Sequence, residues 1–371
     1  MATMIDAPPG LEGVVVADTA IGDVRGEEGF FHYRGYPAPM LARTQPLEAV
    51  WYLVQRGHLP DHAELRAFAE EAAVHRRLDA RLLDALPSLA REGTVMSAVR
   101  TALSLAGQSA SPWLDLSPNA RAREAMRLSA VMPSLVAAVW RVRNGQAPVT
   151  SQPGLSVASD YLEMIAGASP SVAAEKAVER YLLLTIDHGF NASTFATRVV
   201  TSTGADLTAA AVAGIAALSG PLHGGAPSRV VDMLKEIGTV DRARPWIERA
   251  LAAGERIMGF GHRVYRTEDP RSAALKETAL ALGGPVVELA VEVERVALEI
   301  LDRKYPERRL RTNVEFYAGV VLHEIGLPSE LFSPTFAVSR MIGWMAHALE
   351  QMQGNRIVRP ASRYVGPLYC V

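Results

Sequence analysis

From Pro46 onward, the apolar residues of this chain recur with the spacing of one face of an α-helix. The clearest case is a run spaced at i, i+4, i+7, i+8 and i+11, formed by Leu289, Val293, Val296, Ala297 and Ile300. Ser117-Pro118-Asn119 and Ser169-Pro170 are typical helix starts with proline in the first turn. Helix ends or turns are expected at Gly57, Gly107, Gly145, Gly167, Gly189, Gly238, Gly254 and Gly326. We therefore predict an all-α protein of about fifteen helices with short connections.

The region 11–37 is the exception to this helical pattern. Short β-prone runs occur at Val14–Val16, at Ile21 and at Phe30-Phe31, with glycines between them. We predict small strands or hairpins here. The segments 107–118 and 146–153 are rich in small and polar residues, and we expect surface loops there.

Composition excludes several classes of protein. The 371 residues are 49% hydrophobic but only 6% aromatic, which favours close helix packing around a sizeable core. A net charge of −2 gives no electrostatic footprint for nucleic acid or for an anionic membrane surface. The single cysteine, Cys370, cannot form an internal disulfide, and no signal peptide or membrane span is evident. We expect a cytoplasmic protein.

Three short segments in the second half of the chain place a titratable residue among glycines or small residues. They are Gly220–Ala226 around His223, Met258–Tyr265 around His262, and Asn313–Gly319 around Glu315. Glycine lets a backbone approach a ligand closely, so a ligand can reach these side chains. Two histidines and one carboxylate form an acid/base set suited to chemistry on a carbon next to a carbonyl.

Other site types find little support in the sequence. No His-Glu-x-x-His occurs, since His323-Glu324 lacks the second histidine, and no partner cysteine exists for a metal site. Gly-x-Ser-x-Gly of the serine hydrolases is absent. Gly259-x-Gly261 is a weak signal for a phosphate loop, because no third glycine or Walker lysine accompanies it. We expect no metal and no bound cofactor.

In their order and spacing, the three segments resemble citrate synthase, and the likeness covers nearly the whole chain. Further matching stretches are Gly10–Val14, Tyr33–Tyr36, Asp187–Thr194 and Arg359–Gly366. The resemblance implies the all-α citrate synthase fold, with a large and a small helical domain and the active site in the cleft between them. The large domain would comprise 1–225 and 322–371, and the small domain would comprise 226–321. A homodimer is implied as well.

The resemblance also implies roles for the acid/base set. The histidine matching His223 donates a hydrogen bond to the thioester carbonyl of acetyl-CoA as the enol forms, and such a donor lowers the barrier. His262 would polarise the ketone of oxaloacetate. Glu315 would remove the α-proton, although most members have Asp at this position. Glu has one more methylene, so the geometry must differ by about one bond, and a misplacement of about 1 Å can cost ~10²-fold in rate.

Substrate-binding positions of the family match His188 and four arginines, namely Arg100, Arg271, Arg340 and Arg359. Oxaloacetate carries two carboxylates, and planar guanidinium groups bind carboxylates bidentately. The arginine matching Arg359 comes from the partner subunit. The segment that would contact CoA comprises Arg256, Ile257, Met258, Gly259 and Arg263. Gly189 stands where Glu is common in the family.

The function implied is condensation of acetyl-CoA with oxaloacetate, followed by hydrolysis of citryl-CoA to citrate and CoA. Three alternatives stay open at this point. The first is 2-methylcitrate synthase acting on propionyl-CoA, because one methylene changes binding by only ~1–3 kcal/mol. The second is a catalytically weak paralogue that binds oxaloacetate or CoA, and the third is a helical scaffold without a ligand.

Overall fold

A computed structural model describes residues 5–224, 226–262, 265 and 267–367. In these ranges the chain forms sixteen α-helices, four short 3₁₀ helices and one small sheet. The predicted all-α architecture with a short β-prone N-terminal segment is confirmed.

The helices follow one another with short connections over most of the chain. They are α1 (Ala38–Thr44), α2 (Leu47–Arg56), α3 (His62–His75), α4 (Ala80–Leu89), α5 (Val95–Ala106), α6 (Pro118–Arg143), α7 (Val157–Ala166), α8 (Val172–Leu184), α9 (Ala192–Ser202), α10 (Leu207–Leu218), α11 (Ala226–Ile237), α12 (Val240–Ala252), α13 (Pro270–Leu282), α14 (Pro285–Lys304), α15 (Val314–Glu324) and α16 (Phe332–Gln353). The 3₁₀ helices are Pro9–Leu11, Trp113–Asp115, Pro306–Arg308 and Ser329–Leu331.

The sheet consists of three antiparallel strands in the order β1 (Gly22–Arg25), β2 (Phe30–Tyr33) and β3 (Tyr36–Pro37). Asp23 pairs with His32 across β1 and β2. The prediction of strands in this region is confirmed at Phe30-Phe31 but wrong at Val14–Val16, which forms no strand and has Val15 84% exposed. β-propensity alone does not make a strand where no neighbouring strand covers the side chains.

Local capping explains where several helices begin. Ser117 caps α6 by accepting a hydrogen bond from the backbone N–H of Ala120, as predicted. The start predicted at Ser169-Pro170 is wrong by two residues, because Ser171 is the residue that caps α8. The expected loop at 107–118 contains a 3₁₀ helix whose Trp113 is buried.

The larger helical group packs around α16, which contacts α6, α9, α10 and α2. Gly214 of α10 allows close approach, since a Cβ there would lie 2.8 Å from the ring of Trp344 on α16. A Cβ at Gly343 would overlap the carbonyl oxygen of Ile186. The segment after α8, which carries His188, is therefore pressed against α16.

The helices α11 to α15 contact one another and form a second group. The predicted apolar face of α14 is confirmed, because all five of its residues are buried: Leu289, Val293, Val296, Ala297 and Ile300. Residue 321, the predicted end of the small domain, lies inside α15.

Only α6, among the described helices, is long and apolar enough to cross a membrane. Its most apolar window is 78% buried inside the protein, and the core helix of a globular protein passes the same test.

Candidate active site

His188 and His262, which are 74 positions apart in sequence, lie in contact where the two helical groups meet. Their ring centroids are 5.6 Å apart, and the ring of Tyr265 lies 4.8 Å from that of His262. The Nη2 atom of Arg271 lies 3.2 Å from His262 Nε2. Phe31 of β2 closes one side, with its ring 5.8 Å from that of His188.

A short strand-like pairing fixes the His262 loop to the start of α15. Phe260 and Thr312 form an antiparallel bridge, and the side-chain amide of Asn313 donates to the carbonyl of Gly261 (2.8 Å). Gly259 has φ +83°, and a Cβ there would lie 2.7 Å from the Cβ of Phe316. Only glycine allows this approach. The loop with His262 and the first turn of α15 with Glu315 therefore hold a fixed relative position.

His262 is neutral near pH 7. Burial and the charge of Arg271 lower its pKa to about 4, although Asp269 opposes them. The backbone N–H of Tyr265 donates to Nδ1 (3.0 Å), so the proton of the neutral ring belongs on Nε2. Nε2 is then a donor that lies beside a guanidinium donor, and an acceptor oxygen from a ligand would suit both.

His188 is also held neutral. Burial lowers its pKa well below 6.5, and the charges of Arg271 and Arg340 lower it further. Its Nε2 lies 3.0 Å from the hydroxyl oxygen of Tyr265, close enough for a hydrogen bond. Both histidines can therefore donate a hydrogen bond to a substrate oxygen without adding positive charge.

Arg271 is buried, with 3% of its surface exposed, and is held by Asp269. Its Nε donates to Asp269 Oδ1 (3.0 Å) and its Nη2 donates to Oδ2 (2.8 Å). Burial by itself would lower the pKa of Arg271, but the charge and the hydrogen bonds of Asp269, with smaller contributions from Tyr265 and Tyr33, together raise it. This arginine stays a fixed cation.

Arg340 on α16 is an equally buried cation with fewer partners. Its Nε and Nη1 atoms have no hydrogen-bond partner in the part of the chain that the structure describes. Burial lowers its pKa to about 10, whereas the charge of Asp187 raises it. A buried N–H group without an acceptor is costly. This arrangement fits a site whose anion comes from outside the protein.

His223 is attached to the larger helical group. Its Nε2 lies 2.8 Å from the Oγ of Ser193, near the start of α9. Trp344 on α16 donates to the same Oγ (3.2 Å), and the Ser193 hydroxyl donates to Asn191 Oδ1 (2.7 Å). The backbone N–H of Ser193 also donates to His223 Nε2 (3.4 Å), so this nitrogen is an acceptor and the proton of the neutral ring belongs on Nδ1. The imidazole position is thus set by a buried polar network.

Glu315 lies in the first turn of α15, where Asn313 caps the helix by accepting the N–H of Glu315 (3.0 Å). Burial raises the pKa of this carboxyl group to about 7, and Asp269 raises it too, against the charges of Arg271 and Arg229. Tyr181 is within electrostatic reach of Glu315, Arg340 and Arg271, since all three affect its pKa. A carboxyl with a pKa near 7 is suited to act as a base at neutral pH.

The remaining predicted residues lie outside this cluster. Arg100 is half-buried on α5, and Arg359 is exposed in the C-terminal segment, with no described contact to the cluster. In the loop predicted to contact CoA, Arg256 is exposed and Ile257 is buried. Met258 and Gly259 follow directly, and Arg263 lies outside the described residues.

Sequence reasoning missed three residues of the cluster: Asp269, Tyr265 and Ser193. The signal for Asp269 was present, since Asp-Pro at a helix start is typical of a capping residue. Tyr265 contacts His188 and Ser193 contacts His223 across 77 and 30 positions of the chain, and no local pattern indicates these contacts. Within the described ranges, no group of three or more His, Cys, Asp or Glu residues could hold a metal ion.

Comparison with known proteins gives a consistent result. The family model for the citrate synthase C-terminal domain matches residues 10–361. A citrate synthase of Haloferax volcanii is 39% identical over 96% of this chain and 95% of its own. A 2-methylcitrate synthase of Mycobacterium tuberculosis is 40% identical over 97% of this chain and 91% of its own.

Solved structures agree with this result. The citrate synthase of Thermoplasma acidophilum, solved as a ternary complex with carboxymethyl coenzyme A and oxaloacetate, superimposes with a TM-score of 0.90. It is 29% identical, and the match covers 98% of this chain and 97% of that one. The fold and the site define an enzyme of the acyltransferase type. This chain belongs to the citrate synthase family, whose members condense acetyl-CoA with oxaloacetate.

Proposed function

We propose that this protein condenses acetyl-CoA with oxaloacetate and hydrolyses the resulting citryl-CoA to citrate and CoA. The observation that carries the proposal is Arg340, a buried cation with two nitrogen atoms that lack a partner among the described residues. Together with Arg271 and two neutral histidines it would bind a small dicarboxylate that also has a ketone oxygen.

Glu315 is the base of the proposed mechanism. Its carboxylate accepts a proton from the methyl group of acetyl-CoA, and His223 donates a hydrogen bond to the thioester oxygen, so that the enol forms. The enol carbon then attacks the ketone carbon of oxaloacetate. His262, with its proton on Nε2, donates a hydrogen bond to the ketone oxygen, and the new alkoxide takes that proton. After the condensation His262 regains a proton from solvent, and Glu315 releases to solvent the proton that it took from the methyl group. Water finally cleaves the thioester bond and releases CoA.

The same proposal assigns the binding residues. Arg271, Arg340 and His188 hold oxaloacetate, with Arg100 as a further substrate-binding residue. The backbone of residues 256–259, together with Arg256 and Arg263, contacts CoA. The absence of a metal or another cofactor stays a prediction, as does the cytoplasmic location expected from the single cysteine.

We propose that the two helical groups are two domains. The large domain comprises residues 1–225 and the C-terminal part of the chain, and the small domain begins at 226. Because residue 321 lies inside α15, we place the end of the small domain after Glu324. The cluster lies between the groups, so their closure would exclude water until condensation is complete.

We also propose a homodimer in which Arg359 completes the site of the neighbouring subunit. The C-terminal segment that carries Arg359 has exposed apolar side chains, with Val365 90% and Tyr364 70% exposed. Arg363 pairs with Asp6 (2.8 Å), so this segment runs beside the equally exposed N-terminal segment. Apolar side chains exposed along both segments are suited to contact a second copy.

Propionyl-CoA stays the alternative acyl donor, because a 2-methylcitrate synthase is as similar to this chain as the citrate synthases are. Nothing in the described site favours propionyl-CoA over acetyl-CoA.

A thiol-release assay tests the proposal. The purified protein should release CoA from acetyl-CoA only when oxaloacetate is present, and propionyl-CoA should be the poorer substrate. Faster turnover of propionyl-CoA would replace the proposed substrate. No release with either acyl-CoA between pH 6 and 9, despite measurable oxaloacetate binding, would leave the weak paralogue as the explanation.

A further inference from the structure

We propose that Asp269 is a positioning residue, which holds the substrate-binding Arg271 and the first turn of α15 in one fixed arrangement. The inference rests on the proposed function, because Arg271 and Glu315 are the groups that it positions. Asp269 itself is 1% exposed and does not need to touch the substrate.

Asp269 holds Arg271 in place through hydrogen bonds. Asp269 Oδ1 accepts from the backbone N–H (3.0 Å) and from the Nε (3.0 Å) of Arg271, and Oδ2 accepts from Nη2 (2.8 Å). Two parallel bonds to one guanidinium fix its plane as well as its position. Arg271 therefore presents its remaining edge to the site in one orientation.

Asp269 also forms a hydrogen bond to a different helix, α15. Oδ2 also accepts from the backbone N–H of Val314 (3.0 Å), the first residue of α15. That N–H is one of the donors that an α-helix leaves unsatisfied at its start. Glu315 is the next residue, so the carboxylate of Asp269 sets the distance between the proposed base and the proposed substrate cation.

The charges around Glu315 agree with this geometry. Arg271 and Asp269 from the start of α13 and Arg229 from α11 are the charged groups that affect its carboxyl. Asp269 raises the pKa of Glu315, whereas the two arginines lower it. Removing the charge of Asp269 should therefore lower the pKa of Glu315, which an effect on folding alone would not do.

Asparagine cannot replace this carboxylate. It has one oxygen and one NH₂ group, so it can serve the partners of Oδ1 or those of Oδ2 but not both sets. We expect Asp269→Asn to raise the KM for oxaloacetate about tenfold and to lower kcat by about 10- to 10²-fold, the scale of a misplacement near 1 Å. The acid limb of the kcat profile should move to lower pH.

A second variant separates the two contacts. Val314→Pro removes only the N–H that bonds to Asp269. Proline is favoured at the first helical position, and Asn313 before it is already extended (φ −99°, ψ 172°). This variant should lower kcat about tenfold. Its KM for oxaloacetate should stay within about twofold of wild type, because the grip on Arg271 is intact.

Asp61→Asn is the matched control. Asp61 caps α3 through a single oxygen that accepts two backbone N–H groups (2.8 Å each), a task that asparagine can perform. Its KM, kcat and pH profile should equal those of wild type.

The experiment measures kcat, KM and the pH profile of all four proteins, with oxaloacetate binding followed separately by calorimetry. An unshifted pH profile in Asp269→Asn, or an unchanged kcat in Val314→Pro, would overturn the inference. If Asp269→Asn does not fold, the Val314→Pro result decides alone. An inactive wild type that binds oxaloacetate would instead reject the proposed function, and calorimetry on Asp269→Asn would then decide whether Asp269 positions Arg271.

Discussion

Two glutamates, the buried Glu294 and the partly buried Glu315, lie on neighbouring helices of the same group and have opposite surroundings. Glu294 on α14 accepts three hydrogen bonds, from Tyr317 (2.6 Å), Thr312 (2.7 Å) and Lys276 (2.6 Å). The carboxylate of Glu315 on α15 accepts no described hydrogen bond, and burial raises its pKa to about 7.

The difference shows how one helical scaffold uses the same side chain in two ways. A buried carboxylate with several donors is stable as an anion and joins the elements that supply the donors, here α13, α14 and the start of α15. A buried carboxylate without donors is a poor anion and therefore a better acceptor of protons. The surroundings, and not the residue type, separate the structural Glu294 from Glu315, the proposed base.

The largest expected effect is that of Glu315→Gln. The amide cannot accept the proton, so kcat should fall by about 10²- to 10⁴-fold while oxaloacetate still binds. Thermal stability at pH 8 should not fall, because the variant removes an anion that the fold disfavours. Turnover and thermal unfolding of this variant check both points, and full activity would remove Glu315 from the mechanism.

Arg340→Met applies the same comparison to two buried arginines, Arg340 at the site and Arg76 away from it. Loss of this guanidinium should raise the KM for oxaloacetate by about 10²-fold, or about 2.7 kcal/mol, within the range of ~2–5 kcal/mol for truncation of a buried charge contact. The control is Arg76→Met, since Arg76 is paired with the buried Asp160 (3.0 Å) away from the site. That control should lose stability and keep its KM. An unchanged KM in Arg340→Met would contradict our assignment.

Glu315→Asp tests whether the site has adjusted to the longer side chain. The shorter side chain would withdraw the base by about one bond, so we expect about a tenfold lower kcat with unchanged oxaloacetate binding. A faster Asp variant would show that the site retains the geometry that suits aspartate. The same acyl-CoA must be used for both proteins.

Glu294→Gln should lose stability and keep its activity, which is the opposite of what we expect for Glu315→Gln. Replacing the carboxylate leaves at least one of its donors without an acceptor, so stability should fall by about 1–3 kcal/mol. The kcat of the folded variant should stay within about twofold of wild type. Denaturant unfolding and turnover, measured beside Glu315→Gln, complete the comparison. Lost activity at full stability would show that Glu294 belongs to the site.

The smallest expected effect is on the pH dependence of stability. Since the carboxyl of Glu315 has a folded pKa of about 7 against an ordinary 4.5, the folded state binds more protons between these values. Its contribution to stability is therefore present below pH 4.5 and lost as the pH rises through 7. The melting temperature of wild type relative to Glu315→Gln should fall between pH 5 and pH 8. A constant difference would contradict the raised pKa.

The sequence predicted what depends on local pattern. The buried face of α14 and the cap at Ser117 follow from spacing and residue type, and both are confirmed. The strand expected at Val14–Val16 was wrong, because strand formation depends on a partner that the local sequence does not contain. Asp269 could have been predicted as a helix cap, but its bond to Val314 spans 45 positions and leaves no periodic trace in the sequence.

The three acid/base residues were predicted from glycine-rich surroundings and family likeness. Their protonation states could not be predicted from sequence. Burial is the main cause of the low pKa of His262 and of the raised pKa of Glu315, with Arg271 adding to the first and Asp269 to the second. Only the folded chain brings these groups together.

The small sheet near the N-terminus has a consequence for how the protein is made. Tyr33 of β2 donates to the carbonyl of Leu183, which lies 150 positions further along the chain. Ala20, just before β1, bonds to Glu350 of α16 across 330 positions. During translation the first hairpin emerges long before its partners, and contacts of such separation form late. We therefore expect Phe31, which lies beside His188, to reach its place only after these later partners have emerged from the ribosome.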